Sequence, residues 1–110
     1  MRQANVYISG ALAGRLTEDE SGYIFAYDTK YLNARTAAPV SLTMPLRARS
    51  YYSTTLFPFF DGLIPEGWLL NIAAKTCRVE PKDRMGLLLA CCKNCAGAVS
   101  ITPVNTKQNG

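Results

Sequence analysis

Asn5-Val6-Tyr7-Ile8-Ser9, then Gly10-Ala11-Leu12-Ala13-Gly14, then Arg15-Leu16-Thr17 is the stretch that sets the character of the chain. The first five residues are strand formers, the next five supply a turn and the last three begin a return, so the segment predicts a β-hairpin. Acidic Glu18-Asp19-Glu20-Ser21-Gly22 makes a further turn, and Tyr23-Ile24-Phe25-Ala26-Tyr27, dense in aromatic and β-branched side chains, makes another strand. Asp28-Thr29 turns this meander towards a short helical piece around Tyr31–Ala34. Pro39-Val40-Ser41-Leu42-Thr43-Met44-Pro45 reads as a short strand between prolines, placed at an edge because proline cannot donate to a ladder.

From about Ser53 the period changes. Ser53 or Thr54 can cap a short helical turn through Leu56, Phe57, Phe59 and Phe60, with Pro58 in its first turn and Gly62 ending it. Pro65-Glu66-Gly67-Trp68 opens a helix whose apolar positions Leu69, Ile72, Ala73 and Cys77 suit an amphipathic face. A second helix over Asp83–Lys93 is apolar almost all round, through Met85, Leu87, Leu88, Leu89, Cys91 and Cys92, and is expected to be buried on most sides. Gly97–Thr102 alternates like a closing strand. Strands first, helices from the second half and a final strand indicate an α+β domain, with a small, mostly antiparallel sheet or barrel-like meander. The domain is expected over residues 1–103, followed by a polar tail over 104–110.

With 110 residues, 48% hydrophobic and 18% charged, the chain has the size and composition of one globular domain. Its longest apolar runs fall well short of the roughly 20 residues a membrane span needs. The start Met1-Arg2-Gln3-Ala4-Asn5 lacks the apolar core of a secretory signal, so a cytoplasmic location is expected. The net charge is +4, yet the basic residues are scattered singly. The densest group, Arg78, Lys82 and Arg84, is interleaved with Glu80 and Asp83, so no direct nucleic-acid contact is expected.

The absence of histidine removes the commonest general base, the Ser-His-Asp and Cys-His arrangements and most catalytic zinc sites. Cys92-Lys93-Asn94-Cys95 spells C-x-x-C, but there is no second such pair and Cys77 lies too far away for a standard metal spacing. The cysteines are therefore expected to pack as small apolar side chains. No phosphate-cradling loop appears. These readings predict no catalysis, no metal and no cofactor. The apolar segment Leu56–Trp68 holds three of the four phenylalanines and the only tryptophan. Most of it should enter the core, while Trp68, in a first helical turn after Gly67, stands where a large ring can enter a partner's pocket.

Gly14-Arg15-Leu16, Gly22–Tyr27, Pro39–Leu46, Phe59-Phe60-Asp61-Gly62-Leu63-Ile64-Pro65-Glu66-Gly67 and Asn94-Cys95-Ala96-Gly97-Ala98-Val99 occur in an order and spacing that resemble the first subdomain of HipA-type serine/threonine kinase toxins. The kinase lobes of that family would follow beyond this chain, so the resemblance carries no catalytic or nucleotide-binding residue onto it. Cys92 and Asn94 stand where the family tends to show glycine and aspartate. The chain is similar to the small, HipS-like protein of split HipBST systems. There the resemblance implies a HipT-like serine/threonine kinase and a HipB-like helix-turn-helix protein as partners in a ternary complex. It implies an antitoxin that docks on and inhibits the kinase. The alternative is a structural subunit for the folding or substrate access of the kinase, with inhibition supplied by the HipB-like partner. The expected contact comprises Trp68 with Phe60, Asp61, Pro65, Glu66 and Gly67.

Overall fold

In the computed structural model the described residues are 1–64, 66–91 and 99–104, the side chains of Trp68 and Cys91 apart. Strands β1 (Arg2–Ile8) and β2 (Ala11–Asp19) form the opening hairpin, but its turn is shorter than the sequence suggests. Only Ser9 and Gly10 turn the chain, with φ of 50° and 85°. Two left-handed residues in a row match the twist of the flanking strands, which lets Ala11–Gly14 join the ladder instead of forming a loop. The register steps from Val6 opposite Gly14 to Tyr7 opposite Leu12, leaving Ala13 as a bulge. Glu18 and Asp19 likewise end β2 rather than lying in a turn. The turn is Glu20-Ser21, held by Asp19, whose Oδ1 accepts from the Ser21 amide at 2.8 Å and the Gly22 amide at 3.1 Å.

Strand β3 (Gly22–Tyr27) follows, then α1 (Thr29–Leu32), which starts two residues earlier than expected because the Asp28 carboxylate caps the Tyr31 amide. The sheet is completed by β4 (Tyr51–Ser53) and β5 (Val99–Pro103) in the order β4-β3-β2-β1-β5, antiparallel throughout. It is an open sheet with β4 and β5 at its edges. Ser53 therefore ends a strand, where its Oγ accepts from the Thr55 amide at 3.2 Å, and Phe57 rather than Ser53 or Thr54 is the N-cap of the next helix.

The segment Pro39–Pro45 is not a strand. Its backbone groups find tyrosine hydroxyls in place of a ladder. The buried Tyr27 hydroxyl accepts from the Val40 amide at 3.0 Å and donates to the Met44 carbonyl. Tyr31 exchanges two hydrogen bonds with the backbone of Ala38, and Tyr51 donates to the Pro45 carbonyl. Between these anchors the chain closes a tight turn, the Met44 amide donating to the Ser41 carbonyl at 3.0 Å.

One sheet face carries the core. Ala4, Val6, Leu16, Phe25 and Ile101 are wholly buried on it, against Met85, Leu87 and Leu88 of α4 (Arg84–Cys91). Gly14 is required by this packing, since a Cβ there would lie 2.4 Å from the Ala26 carbonyl oxygen and 2.8 Å from Cζ of Phe25. Helix α2 (Pro58–Asp61) has proline at its start and ends at Gly62, as the sequence suggests. Helix α3 (Gly67–Cys77) rests on α4. It ends in a Schellman turn, with Val79 donating to the Ala74 carbonyl and Arg78 to that of Lys75. The Cys92–Cys95 pair and the tail over 105–110 lie outside the described residues.

One polar cluster closes the end of the sheet. Asp83 caps α4 by accepting from the Gly86 amide at 3.1 Å. The same carboxylate takes two hydrogen bonds of 2.9 Å from Arg2, whose Nε donates to Glu18 at 2.7 Å. Arg2 therefore ties β1, β2 and the start of α4 together. Its hydrogen bonds hold the Asp83 carboxyl below the usual carboxylate range.

Two stability predictions follow from these caps. Arg78 holds a left-handed φ of 58°, so Arg78→Gly should stabilise the fold by about 1 kcal/mol in a denaturant titration. Arg2→Ala should destabilise it by about 1 kcal/mol at neutral pH, a modest figure because the groups are part-exposed. With its pKa depressed by folding, Asp83 binds fewer protons folded than unfolded. The difference between wild type and Arg2→Ala should thus persist above about pH 5 and shrink as Asp83 protonates at lower pH, read as thermal midpoints against pH.

Candidate functional site

The stretch from Phe57 to Ile72 crosses from the core to the surface. Leu56, Phe57, Phe60 and Ile64 are buried. Phe60 has no exposed surface at all, its ring centroid 5.5 Å from that of Phe25 and 5.1 Å from that of Phe59. Of the residues expected to meet a partner, Phe60 thus lies beneath the surface and supports it from inside. Asp61, half-exposed, accepts from Arg84 Nε at 2.6 Å and so fixes the end of α2 to α4.

Glu66 is exposed in extended backbone ahead of α3, and its side chain makes no cap hydrogen bond. Gly67 follows with φ of 62°, and nothing lies within 4 Å of where its Cβ would be. Glycine is needed there for conformation rather than for space, because other residues rarely adopt that backbone. Trp68 opens the regular part of α3, its side chain outside the described set, and Pro65 also lies outside the described residues. Asp61 thus ends α2, while Glu66 and Gly67 begin α3.

Sequence reading missed the outer side of α3. Leu69 and Ile72 were expected on its buried face, yet each is 52% exposed. The helix instead packs through Leu70, Ala73, Ala74 and Cys77, of which Ala74 is the most buried. Those four make one stripe at helical spacing, which is enough to dock a short helix. Leu69 and Ile72 fall on the neighbouring stripe, outside the hydrophobic core formed by the described residues. Trp68 stands four positions before Ile72, one turn away along the helix. The signal was an excess: the helix holds more apolar positions than a single contact face uses.

A hollow of about 350 Å³ is lined by Asn5, Leu12, Arg15, Tyr27 and neighbouring residues, away from α3. Among the described residues no three of His, Cys, Asp and Glu come together to hold a metal ion. No helix among them is long and apolar enough to cross a membrane. The site thus carries exposed apolar side chains, an acidic residue and a conformationally fixed glycine, features found on contact surfaces.

Known proteins share this fold. The HipA N-terminal domain family model matches residues 4–102. A Haemophilus influenzae (strain Rd) protein of uncharacterised function is 37% identical over 101 residues, covering 92% of each chain. The Sinorhizobium fredii (strain NGR234) protein named "Putative kinase Y4mE" is 33% identical over 104 residues, which cover 94% of this chain but only 25% of that protein. A solved structure of the N-terminal domain of HipA toxin superposes with a TM-score of 0.74 at 30% identity, over 97% of this chain and 96% of that one. From residue 4 to residue 102, this chain belongs to the HipA N-terminal domain family.

Proposed function

We propose that the protein is a non-enzymatic, antitoxin-like partner of a separate HipT-like serine/threonine kinase, which it docks on and inhibits. The observation that carries this reading is the outer side of α3, where Leu69 and Ile72 stay half-exposed beside Glu66, Gly67 and the position of Trp68. Two apolar side chains on one helix face, on a helix already satisfied by its own core contacts, fit a helix-in-groove or pocket contact with another protein. The family membership supports a kinase as that other protein, since the domain makes up a quarter of a relative named as a kinase. The H. influenzae relative, matched over 92% of its length, supports a form that acts without a kinase in the same chain.

In this reading Trp68 is the anchor. Leu69 and Ile72 widen the apolar contact, Asp61, Pro65, Glu66 and Gly67 form its edge, and Phe60 holds the edge in place from the core. A detached domain can inhibit by binding an inactive conformation of the kinase or by occupying the space of nucleotide or substrate. A HipB-like DNA-binding protein would complete the assembly. The structural-subunit reading differs in the sign of its effect on activity.

The test is phosphorylation by the cognate HipT-like kinase with and without the full chain, alongside measured binding of the pair. Inhibition at stoichiometric complex formation supports the proposal, whereas binding with unchanged or increased phosphorylation favours the structural subunit. Trp68→Ala should weaken binding by roughly 30-fold, as removal of an aromatic anchor does, and should restore kinase activity. Wild-type affinity and inhibition in that variant would remove Trp68 from the contact.

A further inference from the structure

The connection over residues 33–50 joins α1 to β4 with no helix or strand of its own, and is longer than the roughly 12–15 residues beyond which such loops are uncommon and usually functional. It is nonetheless firmly built. Tyr27, Tyr31 and Tyr51 spend their hydroxyls on its backbone at Ala38, Val40, Met44 and Pro45. Val40 and Met44 are buried, which anchors both sides of the turn Ser41–Met44. Arg47 lies over the Tyr51 ring at 3.6 Å and donates to the carbonyls of Arg49 and Ser50, fixing the return to the sheet. At the tip of this structure Leu42 is 95% exposed. A single exposed leucine is ordinary. A leucine held out on a turn whose flanks are pinned by three tyrosines is a side chain presented in advance, with little conformational freedom left to lose on binding.

The charge of the loop points to what it meets. No Asp or Glu lies between Asp28 and Asp61, where Lys30, Arg35, Arg47 and Arg49 stand, and these four cations equal the whole net charge of +4. The other lysines and arginines are matched in number by the eight carboxylates elsewhere. The cations are scattered in sequence, but their counter-charges are absent from this one segment. An exposed leucine in a segment whose only charges are cations fits an apolar pocket with a carboxylate rim better than a phosphate backbone, which offers no apolar floor.

We propose that Leu42 is a second docking point, separate from α3, which enters an apolar pocket rimmed by carboxylates on the kinase, with Arg35 and Arg49 supplying the complementary charge. This inference rests on the kinase being the partner and adds a contact to it. It is tested by association and dissociation rates between the full chain and the cognate HipT-like kinase, with circular dichroism of each variant as the fold control. Leu42→Asp, at an almost fully exposed position, should dissociate about tenfold faster, as loss of a buried apolar contact does. The double variant Arg35→Glu and Arg49→Glu should associate about tenfold more slowly at low salt, with the gap closing as salt rises.

Wild-type kinetics in both variants would overturn the second docking point while leaving the α3 contact standing, and no binding by the wild-type chain would overturn both. Binding to duplex DNA that is lost in the arginine variant and kept in Leu42→Asp would make the loop a phosphate-binding surface instead. Self-association abolished by Leu42→Asp would assign the pocket to a second copy of this chain. Either result also overturns the proposal.

Discussion

The packing of Phe25 against Phe60 is the contact on which the rest of the molecule depends. Phe25 sits at the centre of β3, wholly buried, with Tyr27 edge-on at 4.9 Å and Phe60 of α2 tilted against it at 5.5 Å. The ring and the Ala26 carbonyl both crowd Gly14, so β2 must be glycine there. The Ala13 bulge beside it lets the hairpin keep its inward alternation on both sides of that gap. On the helical side, burial of Phe60 fixes the end of α2, brings Asp61 to Arg84 and sets where the chain leaves towards α3. Aromatic pairs of this kind add about 0.5–1.5 kcal/mol beyond the area they bury, a large increment for a domain of this size. The surface presented by α3 is therefore positioned from the core.

The strands and helices that carry strong periodicity were legible in the sequence. The hairpin, the aromatic strand at Tyr23–Tyr27, the proline-started α2 and the almost wholly apolar α4 all form where their composition directs. The errors share a cause: they concern where backbone hydrogen bonds go, which composition does not state. Pro39–Pro45 has the residues of a strand, but Tyr27 and Tyr51 come from other strands to satisfy it, while β4 formed from Tyr51–Ser53, three residues with little pattern to read. Ser9 takes a left-handed φ without being glycine or asparagine, so the tight turn carried only half of its usual signal.

The candidate site was legible in part for a related reason. Asp61 stands at the end of one helix and Glu66 and Gly67 at the start of the next, and the proline and glycines that mark this boundary are visible in the sequence. Phe60 and Phe59 look alike in sequence and differ in the fold, one buried and one half-buried, because only the structure decides which side of a four-residue helix faces Phe25. Leu69 and Ile72 lie on an apolar stripe of their own. Periodicity identifies both stripes of α3, but it does not say which one the core takes.

That surplus stripe has a physical meaning if the domain works in trans. Joined to a kinase in one chain, as the S. fredii relative suggests, such a domain needs little intrinsic affinity, because a short tether gives an effective concentration on the order of millimolar. Detached, it must supply the whole association free energy from its own surface, including the translational and rotational freedom lost on binding. Exposed apolar side chains on α3 meet part of that cost. A surface held rigid by core aromatics and tyrosine hydroxyls meets another part, because less conformational freedom is lost when the contact forms. On the reading that the domain works in trans, the order of its loop and the exposure of its third helix answer one requirement, a surface that binds without a tether.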